Sequence, residues 1–397
     1  MSRLYFDEPG AFLGPTDSDR RSHVPIRVWA RSLDEATIRQ LREIASQPYV
    51  VLHVAAMADA HVAEGVAVGT VFATQNTVVP GALGSDLGCG MSAVRLGVSA
   101  DTMDRRTLEV MLASLSKAIP TGDAVHRGRG VAVSDKLFAG SLSTRSLEHA
   151  REALTARHLG TLGGGNHFLE LERDADGDVW LLVHSGSRGL GAAIAAHHAK
   201  AASGGDQPRG LKGLDTTEET GCAYLRDLDW ALSFARANRD ALLSKAVEVI
   251  SDMIGVPIEP EEVVDIHHNF VAREKWFGRD LLVHRKGAVA VPLGTKALIP
   301  GSMGTASYLV EGLGNQSAFG SCSHGAGRVM SRKEARGAIR PQALAQAMRR
   351  VVYPKHLERS LVEESPAAYR DITEVLDAQK DLVSRVQRLE PIAVLKG

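Results

Sequence analysis

Apolar residues recur along this chain in two patterns: every three or four positions over long stretches, and in short runs broken by glycine and proline. Together they predict helices packed on buried strands. Leu108, Met111, Leu112 and Leu115 fall at i, i+3, i+4 and i+7, marking an amphipathic helix. Ser32 followed by Glu35 predicts a capping box opening a helix to about Gln47, and Tyr49 to Ala56 then reads as a buried strand. His167 to Arg173 and Val179 to Ser185 are strand-like and flank Asp174-Ala-Asp-Gly-Asp178, a hairpin turn. Residues 222–254 read as one long helix, with Tyr224, Leu228, Ala231, Leu232 and Ala235 on its apolar stripe and Cys222 in the core. Short strands follow near 263–267, 281–284, 288–292 and 306–310, after which the chain returns to helix, with Pro341 in a first turn. No repeat or linker interrupts the 397 residues. The expected architecture is α/β of the mixed α+β kind, one large domain over 1–397 with several sheets and surrounding helices.

Charge and composition narrow the function. Lys and Arg number 46 against 47 Asp and Glu, so no global basic field exists and any polyanion site must be local. No apolar run has the length of a membrane span, and the first residues lack a signal-peptide pattern, so the expected location is the cytoplasm. Cys89, Cys222 and Cys322 are too few and too far apart for a disulfide framework.

Glycine and histidine gather in six segments: residues 85–90, 160–167, 184–188, 267–269, 300–304 and 321–328. Glycines let backbone N–H groups approach phosphate oxygens, and here they alternate with side chains able to bind metal, which points to phosphate plus metal. No P-loop motif occurs, and Gly88-Cys-Gly-Met-Ser-Ala93 leads into a strand, unlike a dinucleotide fingerprint. Asp86, Cys89, His167, His184 and His268 are the candidate metal ligands. The hairpin sets His167 nearly opposite His184, and Cys89 could bridge two ions; this donor set suits Mn²⁺, Zn²⁺ or Fe²⁺. The alternative for Cys89 is a small buried residue, and for Asn166 a turn cap. His126, His149, His158, His197 and His198 read as surface or helix residues, and His267 and Cys322 as packing. His324, flanked by Ser323 and Gly325-Ala-Gly-Arg328, suits a covalent nucleophile beside a phosphate, with a metal-binding or turn histidine as the alternative. From Arg328 to Arg350 seven basic residues face one acid, Glu334, making either a solvated helix face or a guide for an RNA backbone.

The segments DLGCGM, GTLGGGNHFLE, HSGSRG, HHN, RKGA, IPGSMG, GLGN and SCSHGAGRVMSR, in that order from about Trp29 onward to Lys396-Gly397, resemble the RtcB family of RNA ligases. The resemblance implies joining of RNA ends bearing a 3′-phosphate or 2′,3′-cyclic phosphate to 5′-hydroxyl ends, in tRNA splicing or RNA repair, with GTP and two Mn²⁺ ions. It places the guanylylated histidine at His324 and the metal ligands at the five residues above. It further implies nucleotide contacts from Asn166 and Glu170, guanine contacts from Ser302, Tyr369 and Lys396, and phosphate contacts from Arg188 and Arg328. RNA ends are the expected partners of a monomeric chain, with an activating protein left open. Relatives usually read MPDxHxGxG where this chain has Met57-Ala-Asp-Ala-His-Val-Ala-Glu-Gly65, keeping Asp59 and His61. That altered loop is expected to border the RNA path, away from the nucleotide pocket. A repair enzyme specialised for one cleaved RNA and a non-ligating end binder or cyclic-phosphate hydrolase are the competing readings.

Overall fold

The predicted apolar runs pair into two large sheets in a computed structural model that describes residues 3–13, 24–204 and 211–397. One sheet has seven strands in the order Glu261–His267, Gly90–Ser99, Asp178–Ser185, Phe168–Arg173, Val383–Lys396, Ser307–Gly312 and Lys296–Ile299, every pair antiparallel. The other has six, in the order Asn269–Trp276, Arg279–Lys286, Val68–Thr74, Val50–His61, Ile26–Val28 and Ala11–Leu13, with a parallel pair only at Ile26–Val28 and Val50–His61. A shared core joins them, Met57, Val71 and Val283 from one sheet meeting Ile299 and Val310 from the other. The helices Arg105–Ala118 and Glu219–Ile254 cover a face of the seven-stranded sheet, and Glu35–Ala45 covers the six-stranded one. No helix among the described residues is long and apolar enough to cross a membrane.

Local departures from expectation have physical causes. Asp34 caps the first helix, its side chain accepting from Thr37 N, because Ser32 is drawn into a strand opposite Tyr5. The hairpin forms as expected, with His184 opposite Phe168 and His167 one residue before the strand. Cys222 is exposed, since it lies on the solvent side of a first turn whose Gly221, Ala223 and Tyr224 are buried. His198 is buried and donates to Asp227 at 2.7 Å. The C-terminal part is helical only in short pieces, Pro341 opening one of them, and ends in the 14-residue strand Val383–Lys396 at the centre of the sheet.

The helix Glu219–Ile254, about 54 Å long at 1.5 Å per residue, carries Asn238 and Arg239 as well as Asp227 among its buried residues. Asn238 accepts from Gly160 N (2.7 Å) and Thr161 N (3.2 Å) and donates to Thr161 O and Ser185 Oγ. Arg239, with no exposed surface, pairs with Asp265 at 2.7 Å and donates to the carbonyls of Gly88 and Ser185. Removing one partner of a buried ion pair leaves the other charge uncompensated. Arg239→Met should therefore lower the free energy of unfolding in urea by about 3–5 kcal/mol, and a loss under about 1 kcal/mol would show Asp265 to be satisfied without it.

Candidate active site

Four loops and strand ends deliver the five candidate ligands to one point. Asp86 and Cys89 lie just before the strand Gly90–Ser99, His167 just before Phe168–Arg173, and His184 near the end of Asp178–Ser185. His268 is the single residue between Glu261–His267 of one sheet and Asn269–Trp276 of the other. The Cys89 Sγ stands 3.2 Å from His184 Nε2 and 3.5 Å from His167 Nε2. His167 Nε2 is 2.9 Å from Asp86 Oδ2, and His184 Nε2 is 3.3 Å from His268 Nε2. Two donor groups result, Cys89–His184–His268 and Asp86–Cys89–His167, and they share the cysteine. Such a close approach to Asp86 requires glycine at 186, where a Cβ would lie 2.2 Å from Asp86 Oδ1.

The hydrogen bonds behind the ligands suit a cation. His167 Nδ1 donates to Leu162 O and His184 Nδ1 to Asn166 O, so in the neutral ring each Nε2 turns a lone pair toward the thiol. Burial, reinforced by neighbouring imidazoles, pushes His184 and His268 well below the usual imidazole range and keeps them neutral. For Asp86 burial works upward, but the charge of a protonated His167, with its Nε2–H hydrogen bond and one from Cys89, outweighs it and holds the carboxyl at about 2; an ion at this point would take the place of that proton. Burial and the adjacent Asp86 raise the Cys89 thiol well above its usual value, so ligation by the thiolate releases a proton. Lone pairs at these separations match donors about 2.0–2.3 Å from a shared ion.

Two of the candidate donors, His184 and His268, line a cleft of about 400 Å³ whose wall also includes His324. Asn166, Glu170, Ser302, Arg328, Tyr369 and Lys396 line the same cleft. Arg188 stands behind it, Nη1 3.2 Å from His167 Nδ1, its guanidinium filling the space that a side chain at Gly163 would take. His324 follows the strand Ser321–Ser323, which pairs with Ala288–Ala290, and its ring centre is 4.8 Å from that of His268. Its Nδ1 is 2.6 Å from Asp59 Oδ2, and its backbone N–H also donates to that carboxylate. Asp59 is fully buried where the strand Val50–His61 loses register with its neighbour.

Two expectations change. His61, Val62 and Ala63 line the cleft that holds His324, so the altered loop borders the nucleotide-side residues instead of lying apart from them. The basic run also has counter-charges beyond Glu334: Arg328 and Arg332 pair with Glu364, and Arg332 and Arg336 with Glu363. Sequence reasoning overlooked the site roles of Asn238, Arg239 and Glu364. The first two were detectable as polar residues spaced on an apolar helical stripe, whereas Glu364 leaves no local signal.

Because Cys89 belongs to both donor groups, Cys89→Ser should abolish retention of both ions, whereas His184→Ala should spare the ion at Asp86–Cys89–His167. Elemental analysis after dialysis against Mn²⁺ should give about two, one and no ions for wild type, His184→Ala and Cys89→Ser. Equal stoichiometry in all three would place the ions elsewhere.

The family model described as tRNA-splicing ligase RtcB matches residues 40–397. The chain is 35% identical to the RNA-splicing ligase RtcB of Escherichia coli K12, covering 94% of this chain and 98% of that protein. It is 31% identical to the RNA-splicing ligase RtcB of Mycobacterium tuberculosis, over 90% and 100% of the two chains. With the tRNA-splicing ligase RtcB of Thermococcus kodakarensis it shares 29% identity over 96% of each. The family model and the relatives alike cover almost the whole sequence, and the chain belongs to the RtcB family.

Proposed function

We propose that this chain is a GTP- and Mn²⁺-dependent RNA ligase that joins 3′-phosphate or 2′,3′-cyclic phosphate ends to 5′-hydroxyl ends through a histidine–GMP intermediate on His324. The observation that carries the reading is the Asp59–His324 pair at 2.6 Å, which sets His324 in the wall of a cleft that His184 and His268 of the candidate metal donors also line. The seven-stranded sheet draws on residues 90 to 396, which supports reading 1–397 as one catalytic domain.

Donation from Nδ1 to Asp59 leaves the lone pair on Nε2 for attack. Nε2 attacks the α-phosphorus of GTP, an N–P bond forms, the bond to the β-phosphate oxygen breaks and pyrophosphate leaves. That attack puts positive charge on the ring, which the Asp59 carboxylate offsets. An oxygen of the RNA 3′-phosphate then attacks the same phosphorus and displaces His324, giving a pyrophosphate-linked RNA end. The 5′-hydroxyl attacks the RNA phosphorus, loses its proton, and GMP departs. A cyclic phosphate is first opened by water to the 3′-phosphate. Manganese held by Asp86, Cys89, His167, His184 and His268 would, when bound, neutralise phosphate charge gathered at the cleft. Arg188 and Arg328 would pair with phosphate oxygens, while Asn166, Glu170, Ser302, Tyr369 and Lys396 would hold the nucleotide.

An end binder has no use for a carboxylate-oriented histidine, so that reading is weaker. A ligase specialised for one cleaved RNA gains support from Ala63, which lines the cleft where relatives usually have glycine.

Incubation with α-labelled GTP and Mn²⁺ should label the protein covalently, and the label should be lost in acid and survive alkali. His324→Ala should take no label. Asp59→Asn should label roughly a hundredfold more slowly or worse, because the amide keeps the shape and loses the charge. Undiminished labelling of His324→Ala would remove His324 from this role.

A further inference from the structure

The cleft wall contains a carboxylate that the proposed reaction does not use. Glu364, 4% exposed, accepts from Tyr369 OH at 2.6 Å, Arg328 Nη1 at 3.1 Å, Arg332 Nε at 3.3 Å and Lys396 Nζ at 3.3 Å. Arg328 also donates to Tyr369 OH at 2.8 Å and lies over its ring, which ties the group together. Burial alone would raise the Glu364 carboxyl, yet Lys396 first and then Tyr369, Arg332 and Arg328 hold it below its usual range. Lys396 is buried as well, on a strand whose Val394 lies opposite Glu170, and burial and Glu172 push that second carboxyl well above its usual range in spite of Lys396, which leaves Glu364 as the charged partner of the ammonium.

An ammonium offers three donors and no acceptor. Directed at a purine ring it favours a carbonyl at position 6 and disfavours an amino group there, provided it is held in place. Glu364 accepts from Lys396 Nζ, and without that bond the ammonium is no longer held in one place. We infer that Glu364 is a positioning residue that sets base selectivity, holding Lys396 and Tyr369 so that the cleft takes a 6-oxopurine nucleotide in preference to a 6-aminopurine one. This inference rests on the nucleotide-transfer reading above.

The test is covalent labelling of the full chain by α-labelled GTP and α-labelled ATP, with Glu364→Gln compared to wild type. The GTP concentration for half-maximal labelling should rise about tenfold, as for a lost charged hydrogen bond, with a smaller change in the saturating rate. The preference for GTP over ATP should fall by a similar factor while bound metal is unchanged. Lys396→Met added to Glu364→Gln should cost no further selectivity, because the two act through one contact. Glu364→Asp keeps the charge and should recover much of the preference; should the amide fail to fold, Glu364→Ala serves as the test variant and should lose the preference likewise. Equal losses with GTP and ATP, or unchanged selectivity, would overturn the inference alone. A wild type that takes no label from GTP would overturn the functional reading and this inference with it.

Discussion

Two adjacent side chains in the middle of a 36-residue helix hold the backbone from which the metal donors project. Asn238 and Arg239 reach the carbonyl of Gly88 beside Cys89, Ser185 beside His184, and the Gly160–Thr161 turn leading to His167. The loops contribute few apolar side chains, so packing alone would leave them without a fixed geometry. A buried guanidinium supplies five donors in a rigid fork, which suits several carbonyls converging from different strands. The cost of burying that charge is offset by Asp265, itself bonded to Ser92.

From this anchored side the cleft is assembled across two sheets. His268 lies where the chain leaves one sheet for the other, its N–H donating to Cys89 O and its carbonyl accepting from Ala288 N. Ala288 opens the strand that pairs with Ser321–Ser323 and so fixes the start of the His324 loop. A continuous set of backbone bonds therefore links the metal donors to the proposed nucleophile. The electrostatics divide along the same line. Neutral imidazoles and a protonated thiol face the metal end, while Glu364 gathers arginine, lysine and tyrosine at the other.

Much of the site was readable in the sequence, because its chemistry sits in contiguous segments where glycine and histidine stand side by side. The His167–His184 proximity followed from one hairpin, a local feature with its own turn signal. What could not be read depends on contacts between distant parts of the chain. Asp59 and His324 are 265 residues apart, and nothing local to either names the other. The strand Val383–Lys396 was hidden because Val383, Val386 and Leu389 repeat at threes as in a helix, and Pro391 interrupts the run. The structure resolves the conflict by leaving Val386 exposed and shifting register between Pro391 and Ala393. Long-range pairing thereby overrides a helical period.

That strand also dictates an order of assembly. It is inserted between Phe168–Arg173 and Ser307–Gly312, and it carries Lys396 into the cleft. During synthesis the ribosome delivers all six other strands of the sheet before this one, so the sheet must wait as two unjoined parts with facing edges bare. The candidate metal donors come from residues 86 to 268 and can meet while the chain is still growing, but the cleft wall that includes Lys396 closes only with the final strand. On the proposed reading, a nascent chain would acquire its ions before it bound nucleotide, and competence for guanylylation would arrive late and in a single cooperative step.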